Sequence, residues 1–156
     1  MTNSTGLHRN QLKALVHQTE VSIRFSEVDA LGIVWHGHYI KYMEDGREAF
    51  GIQYGISYLD VQKAGYTIPL VKVHCEYKRP LKYGEKAMVE TAYHVTAAAK
   101  MMFTYKIFRA DDGMLMAEGE SVQVFLDSAG TLCINNPAFY EAWKQKHIPS
   151  INETSS

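Results

Sequence analysis

Stretches of strict alternation, broken by helical periods, organise this chain. Val21, Ile23 and Phe25 alternate with Ser22, Arg24 and Ser26, the period of a strand with one buried face. From Tyr39 the period changes. Tyr39, Tyr42, Met43, Gly46 and Phe50 recur at helical spacing, with Lys41, Glu44, Asp45 and Glu48 between them. That spacing predicts a helix to about Phe50 with one apolar stripe. Gly51 and Gly55 loosen the chain, and residues 56–63 predict a shorter helix ended by Ala64-Gly65. Alternation then returns at Val71, Val73, Cys75 and Tyr77, ending at Arg79-Pro80, where proline cannot donate to a ladder. Three more strands follow, over 87–95, 101–109 and 114–126, with turns at Tyr83-Gly84-Glu85 and Asp111-Asp112-Gly113. Asn136-Pro137 opens a last short helix through about Lys146.

The order β, α, α, then four strands in three successive hairpins predicts an antiparallel sheet with one face to cover. The helix after residue 38 is the natural cover. Residues 1–18 read as an N-terminal extension, 19–135 as the domain, and 136–156 as a C-terminal helix and tail, with Ser150–Ser156 unstructured. Met88, Met102, Phe108 and Phe125 spoil the outer-face alternation and predict contact with another subunit.

Composition narrows the classes. With 156 residues, 46% hydrophobic, 21% charged and a net charge of −1, the chain is one globular domain without the basic surface of a nucleic-acid or anionic-membrane binder. The polar start from Met1 to Gly6 lacks a signal-peptide core, and no apolar run is long enough to span a membrane. Cys75 and Cys133 form no CxxC, so the expected home is the reducing cytoplasm.

The chemistry concentrates in residues 29–39. Asp29 lies a few residues ahead of a helix start, where free backbone N–H groups and a partial positive charge polarise a bound carbonyl. Gly32 and Gly37 let backbone approach a ligand closely. A plain capping carboxylate is the competing reading for Asp29. His36-Gly37-His38 followed by Glu44 offers a metal set, but imidazoles two apart at a helix start diverge by about 200°. Arg47 is expected to pair with Glu44 at i, i+3. Tyr54, Tyr58 and Tyr66 read as core, and the two cysteines as small buried hydrophobes.

The run Glu27-Val28-Asp29-Ala30-Leu31-Gly32-Ile33-Val34-Trp35-His36, with Tyr39, Tyr42-Met43-Glu44 and Arg47, resembles the signature of the 4-hydroxybenzoyl-CoA thioesterase branch of the hotdog-fold superfamily. The likeness continues through Tyr77-Lys78-Arg79-Pro80-Leu81-Lys82-Tyr83-Gly84-Glu85 and spans about residues 19–127. It implies an α+β hotdog fold, a five-stranded antiparallel sheet wrapped around one long helix, paired edge to edge as a homodimer or homotetramer. It implies hydrolysis of acyl-CoA thioesters at the subunit interface, with an acyl carrier protein as the second candidate donor. By position, Asp29 matches the catalytic carboxylate. His36 matches the residue whose N–H polarises the carbonyl and whose side chain joins the site. Gly32, Trp35, Gly37, Tyr39 and Glu44 fall around the acyl group, and Lys78, Arg79, Lys82 and Lys100 are the cations for CoA phosphates. No metal or cofactor is implied; CoA belongs to the substrate. Two departures stand out: Gly46 replaces the usual alanine, and Thr96-Ala97-Ala98-Ala99-Lys100 carries one cation where some members carry a cluster. Two other readings remain, a metal-dependent enzyme built on His36, His38 and Glu44, and a non-catalytic acyl-binding module of the same fold.

Overall fold

The computed structural model describes residues 13–148. The chain forms strand β1 (Lys13–Ser22), a 3-10 turn (Phe25–Glu27), helices α1 (His38–Tyr54) and α2 (Tyr58–Lys63), strands β2 (Leu70–Tyr77), β3 (Lys86–His94), β4 (Lys100–Arg109) and β5 (Leu115–Val124), and helix α3 (Ala138–His147). One five-stranded antiparallel sheet runs in the order β1-β3-β4-β5-β2, with α1 laid across its concave side. Among the described residues no helix is long and apolar enough to cross a membrane.

Two expectations are corrected. The first strand begins at Lys13, so residues 13–18 belong to the sheet rather than to an extension, while 23–26 leave it. Its apolar alternation is weak because it is an edge strand; pairing with β3 from Lys13↔His94 to Ser22↔Lys86 holds it. Only two hairpins follow one another, because β2 pairs with β5 and crosses over before β3. The expected loose tail, Ser150–Ser156, lies outside the described residues.

Helix α1 buries the predicted stripe: Tyr39, Tyr42, Met43, Gly46 and Phe50 face the sheet. They meet Val89, Tyr93, Phe103 and Ile107, all fully buried. Gly46 sets the closeness of this contact. A Cβ there would stand 2.5 Å from Thr91 Oγ1 and 2.6 Å from Val89 Cγ1, so the helix rests on β3 through bare backbone. Gly55, in the left-handed region at φ 73°, ends the helix. Ser57 and Asp60 form a capping box that starts α2.

Arg47 does not pair with Glu44. It lies in the core at 2% exposure, donating from Nε to Gln123 Oε1 at 3.0 Å and from Nη2 to the Ile56 carbonyl at 3.1 Å. Its guanidinium stands 4.7 Å over the Phe103 ring, and burial pulls its pKa down. Phe125, expected on the outer face, is fully buried under α3 against Phe139 and Tyr140. Met88, Met102 and Phe108 are half-buried on that face. Helix α3 closes the far end of α1, where Trp143 Nε1 donates to the Tyr54 carbonyl at 2.7 Å.

Because β3 leaves no room at Gly46, Gly46→Val should destabilise the fold by about 1–3 kcal/mol, as overpacking does. Urea unfolding with an unchanged m-value checks it; undiminished stability would show that α1 sits farther from β3.

Candidate active site

The loop from Glu27 to His36 is tied down at both ends. Buried Glu27 accepts from the Arg24 N–H at 2.7 Å and from the Tyr42 hydroxyl at 3.2 Å, and Lys41 Nζ stands 3.7 Å from its other oxygen. Burial and this carboxylate together push the Tyr42 phenol pKa well up, so it stays a donor. The Glu27 carbonyl accepts from the Trp35 N–H at 3.0 Å, closing the loop on itself. The 80–83 segment clamps it from outside: Val34 N–H donates to the Leu81 carbonyl at 2.8 Å, and Tyr83 N–H to the Gly32 carbonyl at 3.3 Å. Within the loop, Asp29 N–H donates to Ile33 O at 2.8 Å and Gly32 N–H to Asp29 O at 3.0 Å. Gly32 takes φ 78°, a conformation glycine adopts freely.

Asp29 sits on this turn, exposed, with Oδ1 accepting from the Leu31 N–H at 2.8 Å. Its other oxygen has no partner among the described residues. At the start of α1, His38 N–H donates to Trp35 O at 3.0 Å and Tyr39 N–H to His36 O at 3.4 Å. The amides of His36 and Gly37 donate to no acceptor among the described residues, and Gly37, the N-cap, has no side chain to cap the helix. Two free N–H groups at a helix start suit a developing negative charge.

The Trp35 ring covers this turn. A Cβ on Gly37 would lie 2.0 Å from the indole, so the ring occupies the space a side chain would need. The indole packs 4.6 Å from the His36 ring and 5.6 Å from the His38 ring.

An open groove of about 260 Å³ runs past these groups, lined by Asp29, Trp35, His36 and Tyr39 on one side and Tyr77, Lys78 and Arg79 on the other. Six of the residues singled out from the sequence therefore share it. Tyr39 contributes from beneath: it is 2% exposed, its phenol oxygen accepts the Leu81 N–H at 3.0 Å, and burial raises its pKa. Lys78 is held by Glu76 at 3.1 Å and Glu118 at 3.5 Å. The side chains of Arg79 and Lys82 make no ion pair among the described residues; Lys82 sits beside the groove wall, bridged to Ile33, with its backbone N–H donating to Glu85 Oε1 at 2.7 Å.

Two candidates lie elsewhere. Glu44 is two turns along α1, at a second cavity of about 20 Å³ shared with Arg47, Tyr58 and Ser121. Lys100 pairs with Val124, whereas Tyr77 pairs with Ala117, itself opposite Ile107. Seven residues of β4 thus separate Lys100 from the groove, roughly 23 Å within one chain. Among the described residues no three of His, Cys, Asp and Glu come close enough together to hold a metal ion. The rings of His36 and His38 both pack on Trp35 rather than on a shared point.

Glu27 and Tyr77 each open one of the two runs that carry the resemblance, but neither is assigned a role in the site by sequence alone. Glu27 looks like any surface acid on an exposed turn, and only the buried Tyr42 opposite it reveals its part. Tyr77 reads as the last inward residue of β2, yet its hydroxyl donates to the His36 carbonyl at 2.7 Å.

Comparison with known proteins adds kinship. A profile described as the thioesterase-like superfamily matches residues 23–150. A Bacillus subtilis protein, provisionally named acyl-CoA thioesterase YneP, is 35% identical over 112 residues, 72% of this chain and 80% of its own. A chloroplastic acyl-acyl carrier protein thioesterase of Arabidopsis thaliana is 28% identical over 112 residues, 72% of this chain and 59% of that protein. The structure of a DHNA-CoA thioesterase from Staphylococcus aureus superposes with a TM-score of 0.71 at 24% identity, covering 88% of this chain and 87% of that one; it shares the fold.

The packing at the helix start is open to test. Gly37→Ala should displace the Trp35 indole and expose it further to acrylamide quenching, measured with Trp143→Phe so that one of the two tryptophans reports. Quenching equal to the parent would show that the ring does not rely on a bare Gly37.

Proposed function

The chain belongs to the thioesterase-like superfamily, and on that premise we propose that it hydrolyses acyl-CoA thioesters to a free acid and CoA, with Asp29 as the reactive carboxylate. One observation carries this reading: Asp29, His36 and Tyr39 border one groove where α1 starts, and the amides of His36 and of the adjoining Gly37 have no acceptor among the described residues. The thioester carbonyl lies with its oxygen toward those amides. Donors preorganised in this way are worth about 3–4 kcal/mol each in hydrolases. Asp29 either attacks the carbonyl carbon, giving a mixed anhydride that water then opens, or takes the proton from an attacking water. In both routes the C–S bond breaks, the sulfur leaves on CoA, and water supplies the acid's new oxygen.

Arg79 and Lys82, the cations beside the groove whose side chains make no ion pair among the described residues, receive the CoA phosphates; Lys78 adds charge already shared with Glu76 and Glu118. An acyl carrier protein is the second donor to try, given the Arabidopsis relative's name. The groove is open and Asp29 exposed in a single chain, which supports a site completed by a second copy. Strand β2 is one of the two sheet edges and displays Leu70, Val71, Val73 and Tyr77 at 37–58% exposure. An edge so apolar is a pairing surface. We place the homodimer there, and Lys100 reaches a groove only from such a partner.

Asp29→Asn should lower kcat for a hydrolysed acyl-CoA at least about 100-fold, as loss of a nucleophile or base does, while ligand binding persists. A folded variant with near parental kcat would remove Asp29 from the reaction. The substrate for the measurement comes from a screen of CoA esters of graded length, aryl esters included. Val71→Asp should shift the protein toward monomer in sedimentation velocity and lower activity with it; an undisturbed dimer would place the interface elsewhere.

A further inference from the structure

Tyr77 has been given no part in the reaction above, yet its hydroxyl hydrogen-bonds to the peptide that opens α1. It stands at the end of edge strand β2, 41 residues from His36 in sequence, and its hydroxyl donates to the His36 carbonyl at 2.7 Å. Its ring is edge-on to Tyr39 at 5.1 Å and to His36 at 6.4 Å, so the hydroxyl is aimed by packing as well as by the bond. Behind it stands the half-buried Cys75 thiol, two residues back on the same strand face, which helps to raise the Tyr77 phenol pKa.

The His36 carbonyl belongs to the same planar unit as the Gly37 N–H, and in a trans peptide the two point in opposite directions. Fixing one end fixes the other. Gly37 has no side chain to restrain its own φ and ψ, and its N–H has no partner among the described residues to hold it. Donation to a carbonyl also polarises the peptide, which makes its N–H a better donor. The Tyr77 phenol is protonated at neutral pH and so able to donate, and desolvation, with Cys75 next, raises its pKa further.

We propose that Tyr77 is a positioning residue for thioester hydrolysis: by holding the His36 carbonyl it aims and strengthens the Gly37 N–H, which joins the His36 N–H in receiving the developing oxyanion. This rests on the thioesterase reading above. It also ties the donor to β2, the edge strand on which the dimer is placed. The hydroxyl touches the peptide, not the substrate, so its loss acts on the transition state and leaves ground-state binding in place.

The test is Tyr77→Phe, which keeps the ring and removes the donor, assayed beside Asp29→Asn on the same acyl-CoA. Expected are a kcat lower by about tenfold or more, short of the full loss of an oxyanion donor, a KM within about twofold, an unchanged melting temperature, and a shifted Gly37 amide resonance in ¹H–¹⁵N spectra. Parental kcat, a change confined to KM, or a kcat loss with the Gly37 resonance unmoved would each overturn the proposal. In the unsubstituted enzyme the Tyr77 hydroxyl proton should be protected from exchange; a freely exchanging hydroxyl overturns it even if the variant fails to fold. The two readings separate cleanly. If Asp29→Asn is inactive and Tyr77→Phe is not impaired, only the role of Tyr77 falls; if neither is impaired, the site itself falls.

Discussion

One hydrogen-bonded seam governs the arrangement: the loop from Glu27 to Trp35, zipped along residues 81–83 and closed on the Glu27 carbonyl. Loops usually wander, because ordering each residue costs about 1–2 kcal/mol of conformational entropy. This one is held by backbone bonds on both sides and by a buried carboxylate at its entrance. The result is a fixed carboxylate in front of a fixed helix start. Remove the seam, and Asp29 and the α1 amides become two unrelated features of a surface.

The rest of the molecule keeps that helix in place. Gly46 lets α1 settle onto β3, and the buried Arg47 links α1 to β5 through Gln123 and to the 55–57 turn through Ile56. Arg47 has no carboxylate partner in the core among the described residues. Two hydrogen bonds and the faces of Phe103 and Tyr58 offset part of its cost, while Nη1 is buried without a hydrogen-bond partner among the described residues. Helix α3 then covers the far end through Trp143 and the aromatic cluster around Tyr93 and Phe125. The groove end stays open, where β2 has no strand on its outer side among the described residues.

Much of this was legible in the residues. The helical stripe of α1 and the alternation of β2 to β5 were plain, and the 27–39 run named the loop and the family together. What escaped has a physical cause in each case. β1 is half polar because an edge strand draws its stability from backbone pairing, which leaves little periodic signal. Strand order hides in alternation: β2 looks like the first limb of a hairpin, and only the crossover shows that it pairs with β5. Arg47 carries an i, i+3 acid and so mimics a surface pair, whereas burial is set by the sheet it faces. Lys100 joined the other cations through the resemblance, as the one cation in the turn before β4, and strand register sends it to the end of β4 away from its own chain's groove.

The central claim is a geometry around a reacting carbonyl, and a crystal structure of Asp29→Asn with a bound, hydrolysable acyl-CoA reads it directly. The account requires the thioester oxygen to lie within hydrogen-bond reach, about 3 Å, of the His36 or Gly37 nitrogen, with residue 29 facing the carbonyl carbon. A thioester seated away from the start of α1, or with its oxygen turned from those amides, would contradict it.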